Sequence, residues 1–427
     1  MKKMLMLGTS YLSKEMVLYA KSQGVYTIVT DPQPLEKSVA KQVADEYWMI
    51  NTCDLDKIEN KCRRENISAV LCGISEFNLE MTMALCERLG LPCYCTPSAW
   101  KYSRDKAAFK ELCKRIGAPV ATDYYLSEAL NEEELDRVAF PVVVKPVDLS
   151  ANRGVSYCYN KQELIEAYHY ARTLSKSDKI VVEKMLFGKE WYSYYAIANG
   201  EIRLVALNGM YAQTGELKNL YSLTTTVSDN VERFINEINP QIIEVLKEVG
   251  CKEGIAWVQV MLDEDDRFYI IEMGYRLPGD FPFIQYEKLF NYNSVSWIVD
   301  YALGKKHSIE ELPEEQKHAF IKCGCSYSLW TKQEGILAEI RGIEELLQVL
   351  DIKYYTLSQK GDHFAEHSTV GVIVFCEDNC ENMCKTLDII NKKLSVIDEK
   401  GEDVLIRYTD FDYLKQIYNI GLQQRNA

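Results

Sequence analysis

The sequence predicts an α/β protein of several packed units that opens on a parallel sheet, and three observations predict it. Short apolar strands alternate with amphipathic helices over residues 1–100. Longer strands and a hairpin signal take over after about residue 186. Finally, 427 residues with 47% hydrophobic and 26% charged side chains match a globular chain of roughly two to four domains.

The elements follow in order. Met4–Leu7 reads as a strand and Ser13–Gln23 as a helix stopped by Gly24. Tyr26–Thr30 is the next strand, ended by Asp31-Pro32. Asp54 caps a helix running to Asn66, Ala69–Cys72 is a strand, and Asn78–Leu89 is a helix closed by Gly90. This is a βαβαβ unit with a parallel sheet. Its first loop, Gly8-Thr9-Ser10-Tyr11, has one glycine where a dinucleotide fingerprint needs three, and Asp31 reads as a turn residue before Pro32.

A helix from Asp105 to Ile116 follows, then strands Pro141–Lys145, Val155–Tyr159 and Lys179–Lys184 with a helix from Gln162 to Leu174. Glu190–Ala198 turns at Asn199-Gly200 into Ile202–Met210, a two-residue hairpin. Ile255–Leu262 and Phe268–Met273 flank an acidic turn. Strand–helix alternation is expected again after about residue 318, with strands near Phe320–Leu329, Ile336–Ile340, Ile352–Leu357 and Val370–Cys376 and a helix near Tyr413–Gln423.

Composition narrows the function classes. Lys plus Arg number 49 against 63 Asp plus Glu, a formal charge of −14, and no basic run tracks phosphates. Nucleic acid and anionic membrane surfaces are disfavoured as partners. No apolar run approaches the ~20 residues of a membrane span, and the first ten residues do not make a signal peptide, so the expected compartment is cytoplasmic. The fourteen Cys have scattered spacings that match no zinc site, so reduced packing thiols are expected.

Three stretches carry candidate chemistry. Strand Pro141–Val144 delivers Lys145-Pro146 to the loop Ser150-Ala151-Asn152-Arg153-Gly154-Val155, an ammonium beside backbone donors that suits a polyphosphate. Val181–Lys189 is an apolar strand running into a turn, where backbone groups could meet a purine edge, Met185 and Leu186 its ring, and Glu190 a ribose. Glu272, at a strand end four residues before Arg276 and following the strand that carries Gln259, could hold Mg²⁺ while Arg276 faces an anion. His363 and His367 sit in a loop context without a third ligand. The stretch Trp191–Tyr195 reads as sheet packing, and Arg341 as a helix-entry charge.

The order and spacing of Gly90-Leu91-Pro92, Ser103-Arg104-Asp105-Lys106, Val144-Lys145-Pro146, the 150–155 loop, Glu183-Lys184-Met185-Leu186, Glu272 and Arg276 resemble the ATP-grasp superfamily over nearly the whole chain. The segment Gly335–Leu346 resembles the C-terminal segment of L-amino-acid-ligase-like members, and the whole pattern resembles the L-amino-acid-ligase-like or carbamoyl-phosphate-synthase-like branch of carboxylate–amine ligases. The resemblance implies an ATP-grasp fold: a Rossmann-like domain over 1–100, an ATP-grasp domain over 101–317 with a lid near 126–186, and a completing α/β segment over 318–427. It implies ATP contacts from Lys106, Lys145, Ser150, Asn152, Gly154, Val155, Glu183, Lys184, Met185, Leu186 and Glu190. Glu272 and Gln259 become metal ligands, and Arg276, Lys145 and Arg153 catalytic groups.

The implied cofactors are ATP and Mg²⁺, with Mn²⁺ as a substitute. The implied partners are a small-molecule carboxylate and an amine joined through an acyl phosphate, with a homodimer left open. Two positions depart from the pattern. Gln259 stands where Glu or Asp is usual, and Gly274 where Asn is usual, both facing metal in relatives. Asp280, Asp263 or Asp265 are candidate substitutes for the missing charge. The same motifs allow a carboxylase or transformylase acting on bicarbonate or formate, and the departures allow an ATP-binding regulatory protein without catalysis.

Overall fold

A computed structural model describes residues 1–147, 149, 154–213, 220–312 and 322–426. Strands β1 (Lys3–Leu7), β2 (Tyr26–Thr30), β3 (Glu46–Trp48) and β4 (Ala69–Cys72) form a parallel sheet in the order β3-β2-β1-β4. The helices between them start where short polar side chains supply a cap: Ser10 accepts from the Ser13 N–H, Asp54 from Lys57 and Ser75 from Asn78. The edge strand β3 was not expected. It is three residues long, and its pairing with β2 is what orders it.

Strands β5 (Val142–Pro146), β6 (Ser156–Cys158) and β7 (Ile180–Lys184) make a separate antiparallel sheet, β6-β5-β7, covered by the helix Lys161–Leu174. Its small core holds Val142, Val144, Leu164, Tyr168, Ala171 and Val182. The alternation along β5 sends Val142 and Val144 into that core and turns Val143 and Lys145 the other way.

The largest sheet is antiparallel throughout and has eight strands. It contains β8 (Gly188–Ala198), β9 (Glu201–Ala212), β10 (Tyr221–Thr225), β11 (Gly254–Asp263) and β12 (Phe268–Gly274). Its order continues through strands of the C-terminal segment, where β13 (Cys323–Trp330) pairs with β10. After β14 (Gly335–Arg341), β15 (Ile352–Thr356) and β16 (His363–Phe364), the chain forms β17 (Thr369–Glu377) and β18 (Ser395–Asp398). Strands β17 and β15 complete the big sheet, while β16, β14 and β18 form a small one.

The strands expected after residue 318 are found, with helices among them. These strands pair antiparallel, three of them with a sheet begun more than a hundred residues earlier, and the start of the first expected strand, at Phe320, lies outside the described residues. The turn at Asn199-Gly200 has φ of 52° and 80°, the left-handed pair that a two-residue hairpin requires.

One apolar cluster runs from the parallel sheet into β8 and β11, so the N-terminal unit packs directly on the big sheet. On the Cys380–Lys393 helix, Cys380 and Cys384 lie one turn apart and are buried with Met383 and Leu387. All fourteen cysteines are free thiols. Among the described residues no helix is long and apolar enough to cross a membrane, and no three His, Cys, Asp or Glu side chains group as a metal site.

Candidate nucleotide cleft

A cleft of about 330 Å³ opens between the β5–β7 sheet and the face of β8, β11 and β12. Its two walls have opposite electrostatic character.

On the β5–β7 wall, Val143 stands opposite Glu183 and Lys145 opposite Val181, so Lys145 and Glu183 are diagonal neighbours on one face. Lys145 Nζ donates to Glu183 Oε1. Lys110 Nζ donates to Glu183 Oε2 at 2.6 Å and to Asp123 Oδ1, and Lys114 Nζ reaches Asp123 Oδ2 at 2.7 Å. Three ammoniums thus alternate with two carboxylates. Burial alone would raise Glu183, yet Lys145 and Lys110 outweigh it and hold its carboxyl down at about 2. Burial pulls the Lys145 ammonium down, and Glu183 more than restores it, so Lys145 stays charged.

On the opposite wall, Gln259 of β11 stands directly across from Glu272 of β12, next to a register shift at Val260. Glu190 of β8 pairs with Met261. The Gln259 side-chain amide donates to Glu190 Oε1. Glu190 is 9% exposed, and burial pushes its carboxyl up to about 7, opposed by the Gln259 hydrogen bond and aided by the negative charge of Glu272. Lys106 Nζ lies 3.0 Å from Glu272 Oε2.

Toward the N-terminal unit, the Arg276 guanidinium lies over the Trp257 ring at 5.6 Å and donates to Glu76 Oε1 at 3.2 Å. Glu76 also accepts from Arg104 at 2.5 Å.

The expected residues Lys106, Lys145, Val155, Glu183, Lys184, Met185, Leu186, Glu190, Gln259, Glu272 and Arg276 all line this one cleft. Gly154 instead lies against Pro146 and Leu174. Ser150, Asn152 and Arg153 lie outside the described residues. The Lys184 N–H donates to Thr122 O at 2.8 Å and the Met185 N–H to Pro141 O at 3.0 Å, so these two backbone donors are engaged within the protein.

The three candidate substitute acids do not line the cleft. Asp280 accepts from Tyr192 at 2.8 Å, Asp263 from the Arg267 N–H at 3.0 Å, and Asp265 sits 3.7 Å from Lys184. Arg341 pairs with Glu339 in the open, its side chain 62% exposed.

Sequence reasoning missed Lys110, Asp123, Trp257 and Glu76. Two of these had a signal. Lys110 follows Lys106 by one turn of the Lys106–Arg115 helix, and Trp257 precedes Gln259 by two strand positions, hence on the same face.

The donor set suits a hard cation. Gln259 and Glu272 stand opposite each other on adjacent strands, and a carboxylate beside an amide that carries a carbonyl oxygen fits Mg²⁺ completed by phosphate oxygens and water. Position 274 supplies nothing, and a Cβ there would come within 2.2 Å of the Trp257 ring. The indole fills the space that a side-chain ligand at 274 would need.

Residues 118–297 match the family model "D-ala D-ala ligase C-terminus". The formate-dependent phosphoribosylglycinamide formyltransferases of Methanococcus maripaludis and Bacteroides thetaiotaomicron are each 27% identical, over 190 and 191 residues that make up 43% and 44% of this chain. The matched stretch spans about half the length of those relatives, 48% in each case.

Among solved structures, the L-amino acid ligase from Bacillus licheniformis superposes with a TM-score of 0.76 at 17% identity, covering 93% of this chain and 99% of that one. The phosphoribosylglycinamide synthetase from Anaerococcus prevotii gives 0.70 at 19% identity, covering 93% and 100%. The biotin carboxylase domain of Hydrogenobacter thermophilus 2-oxoglutarate carboxylase, a dimer in complex with MgADP, ADP and bicarbonate, gives 0.73 at 18% identity, covering 100% and 95%. The family model matches residues 118–297, and the chain as a whole shares the fold of these ATP-grasp structures.

Proposed function

We propose that the chain is an ATP- and Mg²⁺-dependent carboxylate–amine ligase that releases ADP and phosphate. The observation that carries this reading is the convergence of Lys106, Lys110 and Lys145 with Glu272 and Arg276 in one cleft. The ammoniums suit polyphosphate oxygens, the Glu272 carboxylate suits the accompanying cation, and a guanidinium at the rim suits an anionic acid. In this reading residues 126–186 are the lid of an ATP-grasp domain over 101–317, preceded by a Rossmann-like unit and completed by 318–427. The compartment is the cytoplasm, and the partners are small molecules.

The substrate carboxylate, oriented by Arg276, attacks the γ-phosphorus as the bond to the β-phosphate oxygen breaks and ADP departs. Lys106, Lys110 and Lys145 offset the charge that builds on the phosphate oxygens. An amine then attacks the acyl carbon of the acyl phosphate, phosphate leaves, and the nitrogen loses its proton. When bound, Mg²⁺ held by Glu272 and Gln259 supplies charge neutralisation at the phosphates. Closure of the β5–β7 sheet over the cleft keeps water from the acyl phosphate.

The formyltransferase relatives favour a second reading, in which formate or bicarbonate is the acid. An ADP-release assay over amino acids, formate and bicarbonate, with and without amines, separates the two. Release that requires both an acid and an amine is expected, and Glu272→Ala is expected to abolish it. Unchanged turnover in that variant contradicts the metal assignment. Nucleotide binding without turnover across a broad panel marks a regulatory protein.

A further inference from the structure

We infer that Glu190 is a positioning residue for the divalent ion: it holds the amide nitrogen of Gln259 and thereby turns the Gln259 carbonyl oxygen toward the ion position beside Glu272. This role rests on the nucleotide and Mg²⁺ reading above and goes beyond it, because Glu190 was assigned there only to a ribose.

A glutamine matches glutamate in shape, but just one end of its amide can ligate a hard cation. The other end is an NH₂ donor that a dication repels. A glutamine in a metal site therefore works only if something fixes its flip.

The strand registers supply that fixing. Gln259 lies on β11 between two acids on the flanking strands. Glu272 is directly opposite on β12, and Glu190 is the diagonal neighbour on β8, two positions along the same face. The Gln259 side-chain N–H donates to Glu190 Oε1, so the NH₂ end of the amide is the end held at Glu190. Glu190 is nine-tenths buried, so its carboxylate has few partners besides the Gln259 amide.

The two departures from the family pattern thus have different answers: Trp257 closes the place beside Gly274, and Glu190 orients the amide at 259.

The test uses Mn²⁺ as the probe in place of Mg²⁺, with the free-ion signal read by electron paramagnetic resonance at saturating ADP. A parallel titration measures ADP affinity in EDTA. Glu190→Ala is expected to weaken Mn²⁺ about 10–100-fold while moving metal-free ADP affinity less than about twofold. The exchange Glu190→Gln with Gln259→Glu keeps one donor and one acceptor between the pair, and is expected to return Mn²⁺ affinity to within about threefold of the natural chain. Should Glu190→Ala fold poorly, Glu190→Gln and the exchange carry the comparison, with Glu190→Gln alone several-fold weaker for Mn²⁺ than the exchange.

Unchanged Mn²⁺ affinity in Glu190→Ala or Glu190→Gln overturns the role, as does an exchange that rescues nothing. An equal loss of ADP binding in EDTA overturns it in favour of a direct ribose contact and leaves the nucleotide reading intact. No ADP binding by the natural chain, with or without Mn²⁺, sinks the nucleotide reading itself.

Discussion

Glu183 and Glu190 stand on either side of the short connection between β7 and β8, and both line the same cleft, yet their carboxyl groups sit at about 2 and about 7. Burial pushes both upward. The difference lies in what each one faces: two ammoniums at Glu183, an amide and a second carboxylate at Glu190. One wall of the cleft thereby holds three ammoniums against two carboxylates, an excess that a polyphosphate can recruit, and the other presents Glu190 and Glu272 to a cation. The contrast teaches that the site's polarity is set by neighbours across strands and not by depth.

The largest way to break this contrast is Glu183→Gln. It leaves Lys110 and Lys145 facing each other in a buried wall with Asp123 as the remaining acid, and removing one partner of a buried charge pair costs about 3–5 kcal/mol. Urea unfolding at pH 7 measures it. A loss under about 1 kcal/mol would mean that the wall is solvated and the ion pairs weak.

The two carboxyls should also give the stability curve opposite slopes in EDTA. Glu183 lies below its ordinary 4.5 in the folded chain, so its contribution is complete above pH 4.5 and is lost as the pH falls through about 2. Glu190 lies above 4.5, so the folded chain binds that proton more tightly than the unfolded one, and stability falls as the pH rises from 4.5 to about 7. Each effect is about 3 kcal/mol or less. Glu190→Gln is expected to abolish the fall between pH 4.5 and 7. Unfolding curves for this variant that run parallel to the natural chain across that range would contradict the placement of Glu190.

Next in size is Gly274→Asn. The new Cβ meets the Trp257 indole, and overpacking of this kind costs about 1–3 kcal/mol. The midpoint of thermal unfolding reads it, and Trp257→Ala in the same chain is expected to recover part of the loss. A Gly274→Asn chain as stable as the natural one would show that the indole yields easily. At the small end, Arg341→Ala removes an exposed pair with Glu339 and is expected to change stability by less than about 0.5 kcal/mol and nucleotide affinity not at all.

What was legible in the sequence follows the range of the interaction behind it. Helix caps such as Asp54, the stops at Asn66 and Gly90 and the Asn199-Gly200 turn act over a few residues, and reading them placed the helices of the first hundred residues and the β8–β9 hairpin to within a few positions. The three-residue β3 and the antiparallel course of β13, β15 and β17 depend on distant partners, and no local pattern specifies those.

The same rule holds at the cleft. Lys145, Glu183 and Glu272 were legible as strand-end charges with recognisable spacing, and Gln259 and Gly274 as departures from it. The groups that answer those departures were not legible. The Glu190 to Gln259 bond depends on the β8–β11 register, and the Trp257–Gly274 contact on the register of β11 against β12, which shifts between Gln259 and Val260. Lys110 was within reach, since helical spacing from Lys106 alone puts it on the same face.

The central claim is that the positive wall grips a nucleotide. Calorimetric titration of the natural chain and of Lys145→Ala with ADP in excess Mg²⁺ tests it most directly. One nucleotide per chain is expected, weakened about tenfold or more in Lys145→Ala. Absence of binding, or an affinity that ignores the loss of Lys145, would contradict it.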